Sequence, residues 1–111
     1  MKTLCIYGCG GMGREIADLS YRINKWEKII FIDDITKNRV VDEVPVFTFE
    51  EALTKFDRTE LEFIVSLGEP SLRKLLYEKL DKSNLKYINI IDPNFYLSRL
   101  SFINAAIACS V

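Results

Sequence analysis

Three features predict an α/β fold: apolar runs without polar alternation, helical spacing between them, and a glycine cluster joining the first run to the first helix. A strand with no polar side must be covered on both faces, so the sheet is predicted to be parallel with flanking helices. Right-handed crossovers then give a doubly wound, Rossmann-like arrangement.

The elements follow in order. Thr3 to Tyr7 is a short apolar run stopped by glycines and reads as a buried strand. Met12 to Ile23 carries Ile16, Leu19 and Ile23 at helical spacing. Lys28 to Ile32 is a second buried strand, closed by Asp33 and Asp34. The polar stretch from Ile35 to Glu43 reads as a loop, and the short, Pro-marked Val44–Phe47 as an edge strand. Thr48 is placed to cap a short helix, with Glu51 as its capping-box partner. Leu61 to Ser66 is the next strand. After Gly68, Glu69 and Pro70, a helix is expected from Ser71 to Lys82, with Ser71 as its cap and Leu72, Leu75, Leu76 and Leu80 at helical spacing. Lys86 to Ile91 is the last strand of the sheet.

No linker or low-complexity tract divides residues 1–91, so these are expected to form one domain. Residues 92–111 differ, with Asp92 and Arg99 their only charges. Leu97, Ile103 and Cys109 fall six apart, a faint hexapeptide period, against which stands a final helix or strand packed on the sheet. The uncapped Ser-Val end is read as a boundary within a longer architecture.

Composition excludes more chemistry than it suggests. The chain has 111 residues and no His, which removes imidazole bases and His-assisted nucleophiles. Its net charge of -1 gives no basic surplus for nucleic acid or anionic membrane, and neither partner is expected. No run reaches the roughly 18 apolar residues of a membrane span, and the N-terminal run is too short for a secretory signal. Three cysteines without CxxC spacing suit a reducing compartment, so a cytoplasmic location is expected, and no metal site is.

Gly8-Cys9-Gly10-Gly11-Met12-Gly13 fits G-x-G-x-x-G between a strand and a helix. Such glycines allow a tight turn, close approach of a diphosphate, and close packing of helix on strand. The helix N-terminus adds N–H donors and partial positive charge. Asp33, at the end of the second strand, is placed to accept bonds from ribose hydroxyls. Asp34 should point to the opposite face, because successive strand residues alternate; one of the pair, or both around the turn, is read as a sugar or base acceptor. A glycine-rich turn without a ligand is the plain alternative. In the second crossover, Gly68, Glu69 and Ser71 should lie beside the glycine loop, with Arg73 one turn along, either solvated or reaching a phosphate. Cys9 lies where a helix N-terminus lowers a thiol pKa, although a small side chain is simply what such a loop accepts. Tyr21, Trp26 and Tyr77 are expected to pack.

Together, IYGCGGMGREIADL, IIFIDD, VPVFTFEEAL, FIVSLGEPSLRKLLYEKL and YINIIDPNFYLS resemble the N-terminal part of the sugar O- and N-acyltransferases of the sialic acid and bacillosamine-pathway acetyltransferase type. The resemblance covers about residues 2–104. It implies a Rossmann-like domain that binds a UDP- or CMP-linked sugar. A left-handed β-helix would follow, trimerise, bind acetyl-CoA as co-substrate and carry a catalytic His; the period-six tail would be its first rung. It also implies that Gly8, Gly10, Gly11 and Gly13 hold the diphosphate, that Asp33 and Asp34 contact the uridine, and that Gly68, Glu69 and Arg73 complete the site. Met12 stands where the family commonly has His, which removes one hydrogen bond to sugar or phosphate. The chain alone is therefore expected to bind no cofactor of its own and to place a sugar without catalysing. A nicotinamide-dinucleotide domain and a self-associating, non-catalytic module are the competing readings.

Overall fold

The computed structural model describes residues 2–88. Its elements are β1 (Thr3–Tyr7), α1 (Gly11–Ile23), β2 (Lys28–Ile32), β3 (Val40–Val41), β4 (Val44–Phe47), α2 (Phe49–Lys55), β5 (Leu61–Val65), α3 (Pro70–Lys82) and β6 (Lys86–Tyr87), with a 3-10 turn at Arg58–Glu60. The sheet order is β3-β4-β2-β1-β5-β6. All neighbours run parallel except β3 and β4. The chain thus reverses its direction of travel across the sheet beside β1, the position at which doubly wound sheets open a crevice for ligands.

Alternation along the strands sorts the core into two layers. Leu4, Ile6, Ile29, Phe31 and Ile64 face α1, which contributes Ile16, Ala17 and Leu19. Cys5, Tyr7, Ile30, Ile32, Phe63 and Val65 face the other way, toward Phe49 and Ala52 of α2 and Leu80 of α3. Both sides of β1 are therefore dry, which explains its unbroken apolar sequence. Each fully buried Ile, Leu or Phe contributes about 1.5–3 kcal/mol.

Several expectations change. The stretch from Ile35 to Glu43 holds β3, whose two-residue turn to β4 has Asp42 at φ 51° and Glu43 at φ 67°. Two successive left-handed residues mark a type I′ hairpin turn. Val44–Phe47 is consequently an interior strand, with β3 outside it. The capping box at Thr48 and Glu51 forms as expected. Ser71 does not cap α3; Glu69 does, with Pro70 in the first helical position. Leu72 and Leu75 are 49% and 60% exposed despite their helical spacing, and only Leu80 of α3 is fully buried. Trp26 is buried and donates from Nε1 to Glu62, 2.9 Å away, whereas Tyr21 is exposed. The expected end of the last strand (89–91) and the β-helix rung, with everything else read from 92–111, lie outside the described residues.

Candidate functional site at the glycine loop

The loop begins where β1 stops. Gly8 has φ +110°, a backbone conformation that side chains resist, and its N–H donates to Ile32 O at 2.8 Å. Ser66, buried at the end of β5, anchors the same point: its Oγ lies 2.9 Å from both Tyr7 O and Gly8 O. One hydroxyl hydrogen serves the two carbonyls alternately.

The glycines divide by the space around them. A Cβ on Gly8 would lie 2.8 Å from Ser66 Oγ, and one on Gly13 only 2.2 Å from Gly8 O. These two shape the turn and let α1 press against it. Around Gly10, Gly11 and Gly68 a Cβ would meet nothing within 4 Å. At these positions the backbone faces open space.

These positions include the start of α1. Gly10 is the N-cap and offers no side-chain bond, and the first turn has no acidic residue. Arg14 N, bonded to Gly10 O at 2.9 Å, opens the helical ladder. The amides before it have no intrahelical acceptor and carry the positive end of the helix dipole. Met12 is half-buried against the α1-side core.

The two aspartates part as alternation requires. Asp33 Oδ1 accepts from the N–H groups of Ile35 and Thr36, both at 2.9 Å, and Oδ2 accepts from Cys9 Sγ at 3.3 Å. Burial raises its pKa, but the bonds from Thr36, Ile35 and Cys9 outweigh this and hold it below the ordinary value. A carboxylate has about four acceptor positions, so Asp33 keeps capacity beside the glycine loop. Cys9 is pushed up by burial and by its bond and proximity to Asp33, against the lowering expected at a helix end.

Asp34 belongs to the α2–α3 side. Its Oδ2 accepts from Tyr7 OH at 2.5 Å and lies 3.4 Å from Lys79 Nζ, while Oδ1 accepts from Phe49 N at 2.8 Å. Lys79 Nζ also donates to Tyr7 OH at 2.7 Å and sits 4.2 Å from the Phe49 ring centre. Burial pushes the Asp34 pKa up, and the bonds from Tyr7 and Phe49 N with the Lys79 charge bring it down overall. Burial, then Asp34 and Asp33, drive the Tyr7 pKa well above its ordinary value. Asp34, Thr48, Phe49, Glu50, Leu53 and Lys79 line a shallow cleft of about 530 Å³. The structure therefore does not bring Asp34 together with Asp33.

Glu69 is also engaged. Its carboxylate accepts from Leu72 N at 2.9 Å, from Ser71 N at 3.3 Å and from Ser71 Oγ. These bonds, Ser71 Oγ first, and the charge of Arg73 hold its pKa low. The start of α3 already has its anion, unlike the start of α1. Arg73 is half-buried beside Glu69.

Sequence reasoning left three participants without a role: Ser66, Tyr7 and Lys79. A polar residue ending an apolar run is a signal for Ser66. Nothing in the sequence links Tyr7 to Lys79, which are 72 positions apart. The described residues contain no group of three His, Cys, Asp or Glu side chains suited to a metal ion, and no helix among them is long and apolar enough to cross a membrane.

The family described as the PglD N-terminal domain matches residues 3–80. Among solved structures, the acetyltransferase domain of PglB from Neisseria gonorrhoeae is similar, with 24% identity over 74% of this chain and 40% of that one, at TM-score 0.64. The same domain in complex with acetyl coenzyme A gives 25% identity, 73% and 39% coverage, and TM-score 0.63. The chain spans about two fifths of the length of these relatives.

Proposed function

Because the chain belongs to the PglD N-terminal domain family, we propose that it is the nucleotide-sugar-binding domain of an acetyl-CoA-dependent sugar acetyltransferase in glycan biosynthesis. The observation that carries the reading is the contrast between the two helix starts. The end of α3 is filled by Glu69, while the end of α1 is uncapped and bordered by Gly10 and Gly11, with Gly68 equally clear of neighbours.

In this reading a UDP- or CMP-linked sugar sets its phosphates against the amides of Gly11, Met12 and Gly13, where donors and dipole favour an anion. Gly10 and Gly11 allow the close approach, and Gly8 and Gly13 fix the shape. Asp33 accepts from the ribose or base. Asp34 and Glu69 act at one remove, since their oxygens already hold Tyr7, Phe49 N and the α3 start. Arg73 lies at the rim beside Glu69. Met12 offers no hydrogen bond where a His would, so the grip on the sugar side is weaker.

The chemistry of the complete enzyme is acyl transfer. A sugar amine or hydroxyl attacks the thioester carbonyl of acetyl-CoA, its proton passes to a general base, and the CoA thiolate leaves. This chain has no His to act as that base, so its part is to place the sugar, a contribution through proximity. The acetyl coenzyme A bound to the Neisseria relative supports that co-substrate. Residues 92–111 would lead into a β-helix domain, the complete protein would be a trimer, and it would act in the cytoplasm.

Calorimetric titration of the chain with UDP, CMP, NADH and acetyl-CoA tests this. Binding of UDP or CMP alone, lost in Asp33→Ala, is the expected result. Selective NADH binding would make this a dinucleotide domain, and silence toward all four would remove the ligand role of the loop.

A further inference from the structure

Arg14 follows the last glycine of the loop directly. Arg14 is the fourth residue of α1, within its first turns. Its guanidinium makes a two-point bond to Asp42, Nε to Oδ2 at 2.7 Å and Nη2 to Oδ1 at 3.2 Å. Asp42 is presented by the β3–β4 turn, whose two central residues both adopt left-handed backbone. Each side chain of the pair is 53% exposed, and an ion pair so open to water contributes little.

Such a pair is easily exchanged. A phosphate offers the same fork of oxygens as a carboxylate and carries more charge. The other paired arginines are placed differently: Arg22 bonds to Asp18 in the last turn of α1, and Arg39 bonds to Glu51 of α2. Among the described residues, only Arg14 combines a fork-shaped bond to a removable partner with a position in the first turns of α1.

We propose that Arg14 is a phosphate-binding residue kept in reserve by Asp42, and that a nucleotide seated at the start of α1 draws the guanidinium away from Asp42. Asp42 then acts as a competitor that weakens binding and sharpens the demand for phosphate: a nucleoside without phosphate has no means of displacing it. The inference rests on the glycine-loop reading above and deepens it, because it assigns the residue that distinguishes nucleotide from nucleoside.

The test is calorimetric titration of the wild-type chain and of Arg14→Gln, Asp42→Asn and Asp18→Asn with UDP, CMP, uridine and cytidine at low ionic strength. Asn tolerates left-handed backbone, so Asp42→Asn keeps the turn. Asp18→Asn removes the same charge from a pair further along α1. Nucleotide affinity is expected to fall roughly tenfold in Arg14→Gln and to rise several-fold in Asp42→Asn. Asp18→Asn should leave it unchanged, and nucleoside affinity should not move in any variant. Equal weakening by Arg14→Gln and Asp42→Asn would make the pair a structural latch and overturn the proposal. So would an unchanged Arg14→Gln, or an equal gain in Asp18→Asn. If the wild-type chain ignores UDP and CMP altogether, the glycine-loop reading fails first and this inference with it.

Discussion

A Cβ on Gly13 would stand 2.2 Å from the carbonyl oxygen of Gly8. Backbone blocks the position, and no rotamer change relieves it. Gly11, two residues earlier, has nothing within 4 Å. The two glycines of one loop should therefore respond oppositely to the same change. Gly13→Ala should cost stability by overpacking, about 1–3 kcal/mol. Gly11→Ala should gain about 0.4–1 kcal/mol through the unfolded chain, yet weaken nucleotide binding by crowding the approach. Urea unfolding read alongside UDP titration checks both signs, and a loss of stability in Gly11→Ala would contradict the openness of that position.

Ser66 ties the end of β5 to the turn after β1 through Tyr7 O and Gly8 O. Ser66→Ala keeps the Cβ and the backbone bond from Ser66 N to Tyr7 O at 3.0 Å. It removes the buried hydroxyl donor that reaches Gly8 O from beneath the loop. The expected cost is about 1–2 kcal/mol, with faster amide exchange at Gly8 to Gly10. Unchanged exchange there would mean that Gly8 is held by its bond to Ile32 O alone.

The strands were legible because burial on both faces writes an unbroken apolar run; β1 and β2 have the bounds read from sequence. The glycine loop was legible because its geometry admits few other residues. What escaped depended on chemistry that the usual signals do not carry. The β3–β4 turn uses Asp42 and Glu43 at positive φ, where Asn-Gly would have announced a hairpin. Glu69 takes the capping role expected of Ser71, because a longer carboxylate reaches Ser71 N and Leu72 N from two residues further out. Alternation sets Asp34 on the opposite face from Asp33, as the sequence predicts, but its partners Tyr7, Phe49 and Lys79 come from three distant segments. Only the folded sheet brings them together.

Helical spacing alone also overstated the buried face of α3. Leu80 is fully buried among the α2–α3 core, whereas Leu75 is 60% exposed. Leu80→Ala should cost about 2–5 kcal/mol by leaving a cavity. Leu75→Ala should fall within about 0.5 kcal/mol of wild type. Equilibrium urea curves with matched slopes would measure both. A large loss in Leu75→Ala would show that this face of α3 is covered in solution by something beyond residues 2–88.

Asp34 gives the fold a predictable response to acid. Its carboxylate holds Tyr7 OH, the start of α2 and Lys79, and its pKa in the folded chain is depressed below 3.8. A depressed carboxylate contributes stability above its unfolded pKa, and that contribution is lost as pH falls through the folded value. The side chain is 40% exposed, so water screens the Lys79 pair and the Tyr7 and Phe49 bonds dominate. Asp34→Asn removes the charge and keeps one acceptor for Phe49 N. The variant should be less stable than wild type at pH 7; the gap should begin to narrow below about pH 4, where the unfolded chain takes up its proton at this position, and close as pH falls through the lower folded value. Unfolding free energies measured from pH 7 to pH 3 test the sign. A gap that stays constant over that range would mean that Asp34 acts through shape alone and that its charge contributes nothing to the fold.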